Sequence, residues 1–311
     1  MVTQRQMPLR AAMLMLFSTL SFGMMAITIR YASTQIPTTE IAFFRNAFGL
    51  LVLLPLILGP GKPLPRTQHG PRYIARSMLG LISMLCNFWA ISHLPLTQAI
   101  TLSYSTPLFA TILAALWLHE VVRLRRLLAI LAGFAGILVL LQPWSSTFSP
   151  TLLVALAAAI LNAVITIQMK QLSHLDPPDT VVFYTYAFWV PLSLLLALWQ
   201  WHWPAGVEWV WLIATGIFGT IGQLLWIRAL RLGEVSALQP IGFMQLPLVT
   251  LLGWWLFGEH LDRYTALGAS IIIGANVYIT HREAVLARRT AAETIQKGVQ
   301  SNGINRAQGP S

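Results

Sequence analysis

Apolar runs close to the length of a bilayer crossing follow one another along most of this chain, separated by short polar or proline-bearing connections. A helix needs ~20 predominantly apolar residues to cross the hydrocarbon core. Lipid offers the backbone no hydrogen bonds, so each crossing must satisfy its own amides and carbonyls, and runs of this length do so as helices. Composition agrees: 10% of residues are charged, against about 25% in a soluble domain. The mean hydropathy is +0.66. The fold class expected is therefore all-α integral membrane.

Ten spans are predicted, near 10–31, 37–58, 73–92, 96–118, 126–143, 150–171, 179–200, 207–229, 235–257 and 264–281. Pro37, Pro71, Pro95, Pro150 and Pro177–Pro178 stand at or before helix starts, where a missing N–H costs nothing. The first run is too long for the core of a signal peptide and no small-residue cleavage site follows it, so it reads as the first transmembrane helix. The single cysteine, Cys86, leaves no intramolecular disulfide and no cysteine-rich metal site.

An even number of spans puts both termini on one side, and basic residues choose the side. One set of loops and ends carries Arg5, Arg66, Arg72, Arg76, Arg123, Lys170, Arg228 and most other cations, while the opposite set carries only Arg30 and Arg263. The basic side is expected to be cytoplasmic, in a bacterial inner membrane, where anionic lipid headgroups also account for the net charge of +10. Charge scattered over short loops is not a nucleic-acid footprint. Trp199, Trp201, Trp203, Trp209 and Trp211 flank the connection between spans seven and eight and read as an interfacial belt. Residues 1–9 are expected as a cytoplasmic N-terminus and 282–311 as a disordered basic cytoplasmic tail.

The chain also matches itself. Shifted by 140 residues, AITIRYASTQIPTTEIAFFRNAF (26–48) falls on TIQMKQLSHLDPPDTVVFYTYAF (166–188), pairing Arg30 with Lys170, Phe43 with Phe183 and Phe48 with Phe188. Pro107 then falls on Pro247, and with a one- or two-residue slip Glu120 falls on Glu259 and Gly136 on Gly274. Two repeats result, 10–143 and 150–281, of five spans each. An odd number inverts the second copy, and inverted five-helix repeats around a central cavity are the sequence signature of many secondary transporters.

Pro107 and Pro247 lie about halfway along spans four and nine. Each removes one helical hydrogen bond and is expected to free a carbonyl one turn earlier, at Ser103 and Phe243. Matched interruptions point to a substrate site. Polar and aromatic residues recur on the same spans, and the expected cavity is lined by Arg45, Asn87, Trp89, Ser103, Tyr104, Pro107, Tyr184, Tyr186, Gln223, Trp226, Gln245 and Pro247. Small residues at 129, 132, 133 and 136, and at 266, 270 and 274, favour close helix packing.

TTEIAFFRNAF (38–48) sets a carboxylate and a guanidinium at the start of span two. Glu40 falls in the first turn, where a carboxylate complements the helix N-terminus as a cap. Arg45 lies deeper and roughly 140° around the helix from Glu40, so the two are poorly placed to pair. Arg45 is expected to face the cavity and receive a carboxylate; snorkelling, or a gate ion pair with Glu259 or Asp262, are the alternatives.

Enzyme motifs are missing. GPGK at 59–62 lacks the spacing of a phosphate loop, no H-E-x-x-H occurs, and the histidines are scattered. No cofactor, metal or catalytic residue is expected. The remaining acidic residues, among them Glu120, Asp176, Glu208 and Glu259, fall at span ends or in loops, so no proton relay stands at mid-depth.

EIAFFRNAF, ISHLPLTQAITLSYSTPLFATILAALWLHE and its echo ALRLGEVSALQPIGFMQLPLVTLLGWWLFGEHL resemble the EamA family of the drug/metabolite transporter superfamily, over residues ~10–281. The resemblance implies ten helices around a central cavity in an inner-membrane carrier. It also implies a small-molecule cargo: amino acids or opine-type metallophores for exporters, riboflavin or S-adenosylmethionine for importers. The main expectation is export of a small polar, amino-acid-like metabolite by alternating access. Import of a vitamin or nucleoside-like cofactor is the runner-up, and a membrane-embedded transferase or scaffold the reading from another class. The bilayer is a partner in each case, nucleic acid in none, and a homodimer is left open.

Overall fold

The computed structural model describes residues 8–57, 66–117, 124–145, 148–173, 175–176, 178–232, 235–282 and 285. Among these the chain is helical, without strands. The helices are α1 (Pro8–Ala32), α2 (Thr38–Ile57), α3 (Gly70–His93), α4 (Leu96–Ser103), α5 (Thr106–Trp117), α6 (Leu124–Leu141), α7 (Thr151–Ser173), α8 (Pro178–Ala197), α9 (Glu208–Leu232), α10 (Val235–Gly242) and α11 (Gln245–Phe257). A further helix, α12, covers 263–282. The expected cytoplasmic tail, GPGK, Glu120 and the side chain of Lys170 lie outside the described residues.

The helix starts follow the prolines. α2, α4 and α7 begin one residue after Pro37, Pro95 and Pro150, α8 begins on Pro178, and α3 carries Pro71 in its first turn. Side chains set other boundaries. Asp262 Oδ2 accepts the amides of Tyr264 and Thr265 at 3.0 and 3.3 Å and so caps α12. α11 ends on Gly258, whose φ of 65° only glycine adopts without strain; Gly258 N–H bonds to Trp254 O and Glu259 N–H to Gly253 O.

Among the described residues seven segments are long and apolar enough to cross a membrane: Leu9–Ala32, Gly70–His93, Leu96–Leu116, Thr151–Gln168, Thr180–Gln200, Glu208–Leu230 and Pro240–Phe257. Leu127–Leu141 is a shorter apolar helix. α12 falls outside that set, diluted by Asn276 and its polar ends.

α1 lies along α9, α3 along α7, and α2 between α8 and α9. α3 also meets α8, α1 meets α10 and α11, α7 meets α4 and α5, and α4 meets α11. α6 and α12 approach backbone to backbone: a methyl group on Gly136 would sit 3.0 Å from Gly268 O, and one on Gly268 2.7 Å from Gly136 O. Gly133 packs against Leu108, whereas Gly274 meets nothing within 4 Å. Of the interfacial tryptophans, Trp199 (89% exposed) and Trp203 face outward. Trp201 turns inward onto Phe43 and Phe44, and Trp211 stacks on Tyr31 at 4.6 Å.

Candidate functional site

At each of the two interruptions the α-helical pattern lapses for two residues. α4 stops at Ser103 and α5 restarts at Thr106; α10 stops at Gly242 and α11 restarts at Gln245. The carbonyls that seek side-chain partners differ from those expected at Ser103 and Phe243. Phe243 O accepts the Leu246 amide within its own turn at 3.0 Å. The two that are served by side chains are Tyr104 O, which accepts Asn276 Nδ2–H at 2.7 Å, and Gly242 O, which accepts Tyr104 Oη–H at 2.9 Å. The reason is that both connections tighten into 3₁₀-like turns: Leu108 N–H turns to Ser105 O, and Leu246 N–H to Phe243 O, which leaves Tyr104 O and Gly242 O to side chains.

The breaks therefore touch, and a pocket of about 220 Å³ opens beside their contact. α1 contributes Met15, Ser18, Thr19 and Phe22; the α4–α5 break contributes Tyr104 and Pro107; α9 contributes Trp226 and Leu230; the α10–α11 break contributes Gly242, Phe243 and Gln245. Tyr104 and Phe243 meet edge to face at 5.0 Å. Ser18 donates to Gly222 O at 2.7 Å and Thr19 to Met15 O at 2.8 Å, which consumes both hydroxyl protons. Gln245 Oε1 lies 3.4 Å from Tyr104 Oη. Among the described residues no carboxylate, ammonium, guanidinium or imidazole lines this pocket. A larger cleft of about 500 Å³ lies on the far side of α11, between α4, α11 and α12, walled by Leu246, Pro247, Leu251, Trp254 and Ala269 among others. The smaller pocket is the candidate site, because there two interrupted backbones converge in the bundle interior.

Of the residues singled out in the sequence, Tyr104, Pro107, Trp226 and Gln245 line this pocket and Pro247 lines the larger cleft. Asn87 Nδ2–H donates to Ser103 Oγ at 2.9 Å, behind the first break. Trp89 stacks on His93 at 4.2 Å, and Tyr184 packs between Tyr73 and Phe188. Gln223 is half-buried on α9 and is not in the pocket wall.

Arg45 is buried at 7% exposure. Its guanidinium lies over Tyr186 (5.4 Å) and Trp189 (5.9 Å) of α8 and donates to Asn46 Oδ1 at 3.0 Å, with no carboxylate in ion-pair range among the described residues. Gly219 of α9 admits it: a methyl group there would stand 3.2 Å from Arg45 Nε. Glu40 is fully buried, and its Oε2 accepts the His202 amide of the α8–α9 connection at 3.1 Å. Glu259 pairs with Arg30 at 3.3 Å and accepts the Leu96 amide at 2.8 Å, so it caps α4. Arg30 also donates to Ile91 O and Leu94 O, at the end of α3. This clamp joins α1, the α3–α4 connection and the α11–α12 connection. Burial pushes the Glu259 carboxyl above its usual 4.5, opposed by the Leu96 amide and by Arg30.

Sequence reasoning missed three participants. Asn276 is buried at 1% exposure; as one polar residue in an otherwise plain span it gave no pattern. Arg76, counted with the loop cations, lies two turns into α3, buried and donating to Thr185 Oγ1. Asp176 accepts Thr67 Oγ1–H and Tyr73 Oη–H at 2.7 and 2.9 Å, joining the α2–α3 and α7–α8 connections. No group of acidic, histidine or cysteine side chains suited to a metal occurs among the described residues.

Comparison with known proteins bears on this arrangement. The sequence model of the EamA-like transporter family matches residues 9–142 and 149–280. A riboflavin transporter of Vibrio cholerae is 35% identical over 288 residues, covering 91% of this chain and 96% of that protein. An S-adenosylmethionine uptake transporter of Rickettsia felis is 30% identical over 268 residues, covering 86% and 91%. A pseudopaline exporter of Pseudomonas aeruginosa is 28% identical over 270 residues, covering 86% and 95%. One solved crystal structure shares the fold at a TM-score of 0.63 and 21% identity, covering 90% of this chain and 98% of that one.

Proposed function

The chain belongs to the EamA-like transporter family, and on that premise we propose that it is a bacterial inner-membrane secondary carrier taking up a neutral, flat-ringed vitamin of riboflavin type. The observation that carries the proposal is the lining of the central pocket: Phe22, Tyr104, Trp226 and Phe243 supply rings, Ser18, Thr19 and Gln245 supply neutral polar groups, and no charged side chain stands among the described lining residues. A zwitterionic amino acid or a carboxylate-rich opine would bring ions into a site that offers no counter-charge, at a steep desolvation cost. A neutral ring stacks on the aromatic walls and presents its amide edges to Gln245 and the break carbonyls. The similarity to a riboflavin transporter over nearly the full length points the same way. At about 220 Å³ the pocket is smaller than a typical ligand site of ~300–1,000 Å³, so part of the cargo extends beyond it in this state.

The carrier is read as ten spans in two inverted repeats, α1–α6 and α7–α12, with α4–α5 and α10–α11 each counted as one span and both termini cytoplasmic. The packing supports this reading. Advancing each span by five turns the contact α1–α9 into α7–α3, α2–α9 into α8–α3, and α1 with α10–α11 into α7 with α4–α5, and all of these contacts occur. Such a relation lets the halves rock about the pocket and expose it to each side in turn.

The test is riboflavin counterflow in proteoliposomes, with an amino-acid panel beside it. Saturable riboflavin exchange supports the proposal; exchange confined to amino-acid-like compounds sinks it. One observation favours a second reading, export of an amino-acid-like metabolite: Arg45 is buried without a carboxylate partner among the described residues and is a candidate to receive one from the cargo. The likeness to a pseudopaline exporter agrees with that reading.

A further inference from the structure

Beyond the cargo reading lies the question of what holds the pocket in shape. The pocket wall comes from α1, the two breaks and α9; α12 contributes nothing to it. Yet α12 sends Asn276 inward, whose Nδ2–H reaches Tyr104 O at 2.7 Å; its other buried polar side chain, Thr265, accepts Gln98 Nε2–H at 3.1 Å and lies away from the breaks. Helix geometry would give that carbonyl to Leu108, but Leu108 N–H is taken by Ser105 O, so Asn276 is the donor the break depends on. From the same residue, Tyr104 Oη–H crosses to Gly242 O at 2.9 Å. Helix geometry would give Gly242 O to Leu246, whose N–H is taken by Phe243 O. One tyrosine thus answers both interruptions: its carbonyl is held from α12 and its hydroxyl holds the opposite break.

We infer that Asn276 is a positioning residue for the transport site, acting through Tyr104. The amide fixes the α4–α5 turn, the fixed turn aims the Tyr104 ring, and the aimed hydroxyl pins Gly242, beside Phe243 and Gln245 of the pocket wall. Asn276 is not itself a lining residue of the pocket and reaches it through Tyr104. Its Oδ1 is buried without a partner, so this amide is committed to the bundle only through its donor side. A packing residue chosen to fill space at that position has no need of an amide, since apolar side chains fill buried volume without an unmet acceptor.

The inference makes two variants behave alike. Asn276→Ala removes the donor and keeps Tyr104; Tyr104→Phe keeps the ring and the carbonyl that Asn276 binds, and removes only the hydroxyl. Both raise the KM for riboflavin counterflow about tenfold, the size of one hydrogen bond of ~1.4 kcal/mol, with little change in maximal rate. In the Tyr104→Phe background, Asn276→Ala adds nothing further to KM, although any loss of thermal stability from the cavity persists. A purely structural Asn276 gives additive effects, and that result overturns the inference. So does a Tyr104→Phe variant with unchanged KM, a measurement that stands even if Asn276→Ala fails to fold.

This inference rests on the central pocket being the transport site, and a cargo-free measurement separates the two. Asn276→Ala is expected to accelerate hydrogen exchange in both breaks, 103–108 and 242–247, and Tyr104→Phe in the second alone. Protection of 242–247 that is unaffected by Asn276→Ala overturns the coupling, whatever the cargo proves to be. Lost riboflavin transport in the unsubstituted protein, with the exchange pattern as described, overturns only the cargo.

Discussion

Replacing Glu259 by alanine should loosen the clamp that closes one end of the bundle, by an amount the geometry fixes. Two bonds are lost. The carboxylate accepts the Leu96 amide at 2.8 Å, a hydrogen bond to a charged group worth ~1.5–3 kcal/mol. The Arg30 pair is longer, 3.3 Å, with side chains 23% and 13% exposed, and such a pair adds about 0–1 kcal/mol. Together the change is about 2–4 kcal/mol, or ~30- to 700-fold in an opening equilibrium at 1.4 kcal/mol per decade. The Leu96 amide itself reports it. Pro95 has no N–H, and the first amides of α4 have no intrahelical acceptor, so Leu96 is protected by Glu259. Hydrogen exchange of the 94–98 segment should accelerate by that factor in Glu259→Ala. Glu259→Gln keeps a neutral acceptor and should fall between, at about five- to tenfold. Exchange in Glu259→Ala within threefold of the unsubstituted protein would refute the assignment of the cap.

Acidification should weaken the same bond. Burial raises the Glu259 carboxyl above 4.5, so the folded protein binds this proton more tightly than the unfolded chain. By linkage the group favours the fold below its unfolded pKa, and that contribution is lost as pH rises through the folded value. The clamp goes the other way: as pH falls through the folded pKa, Leu96 loses its anionic acceptor, and exchange there, corrected for intrinsic rate, should rise. Gly268→Leu should force α6 and α12 apart, because even a methyl group meets Gly136 O at 2.7 Å; overpacking of ~1–3 kcal/mol should appear as a lowered melting temperature. Glu40→Leu removes the carboxylate acceptor of the His202 amide, costing ~0.5–1.5 kcal/mol in urea or detergent unfolding, whereas Glu40→Gln keeps an acceptor and should cost less. Arg45→Lys keeps the charge but not the planar stack on Tyr186 and Trp189; a loss of ~0.5–2 kcal/mol in stability is expected, and unchanged stability would argue that the rings do not hold it.

What the sequence made legible followed from periodic and positional signals. Membrane class, helix starts at Pro95, Pro150 and Pro178, and the interruptions near Pro107 and Pro247 are backbone consequences of single residue types. Tyr104, Pro107, Trp226 and Gln245 were legible because the breaks draw neighbouring side chains into the pocket. What stayed hidden was tertiary. Sequence spacing cannot say that Glu40 reaches a backbone amide 162 residues on, or that Asn276 reaches a carbonyl 172 residues back. The orphan carbonyl expected at Phe243 was misplaced by one residue because a proline dictates which bond is lost but not how tightly the neighbouring turn closes. Arg76 went unnoticed because a loop arginine and an arginine two turns into a helix look alike until the helix edge and the facing Thr185 are known.

The paired breaks have a consequence for how such a carrier varies. α4 and α10 end, and α5 and α11 begin, around one small pocket, so carbonyl ends and amide starts of four half-helices supply its polarity. That field belongs to the main chain. It has no pKa in the working range, is not removed by exchanging one side chain, and is the same whichever rings line the wall. Substitutions at Phe22, Trp226 or Gln245 can therefore retune which molecule is held while the polar frame that makes an interior site possible stays in place.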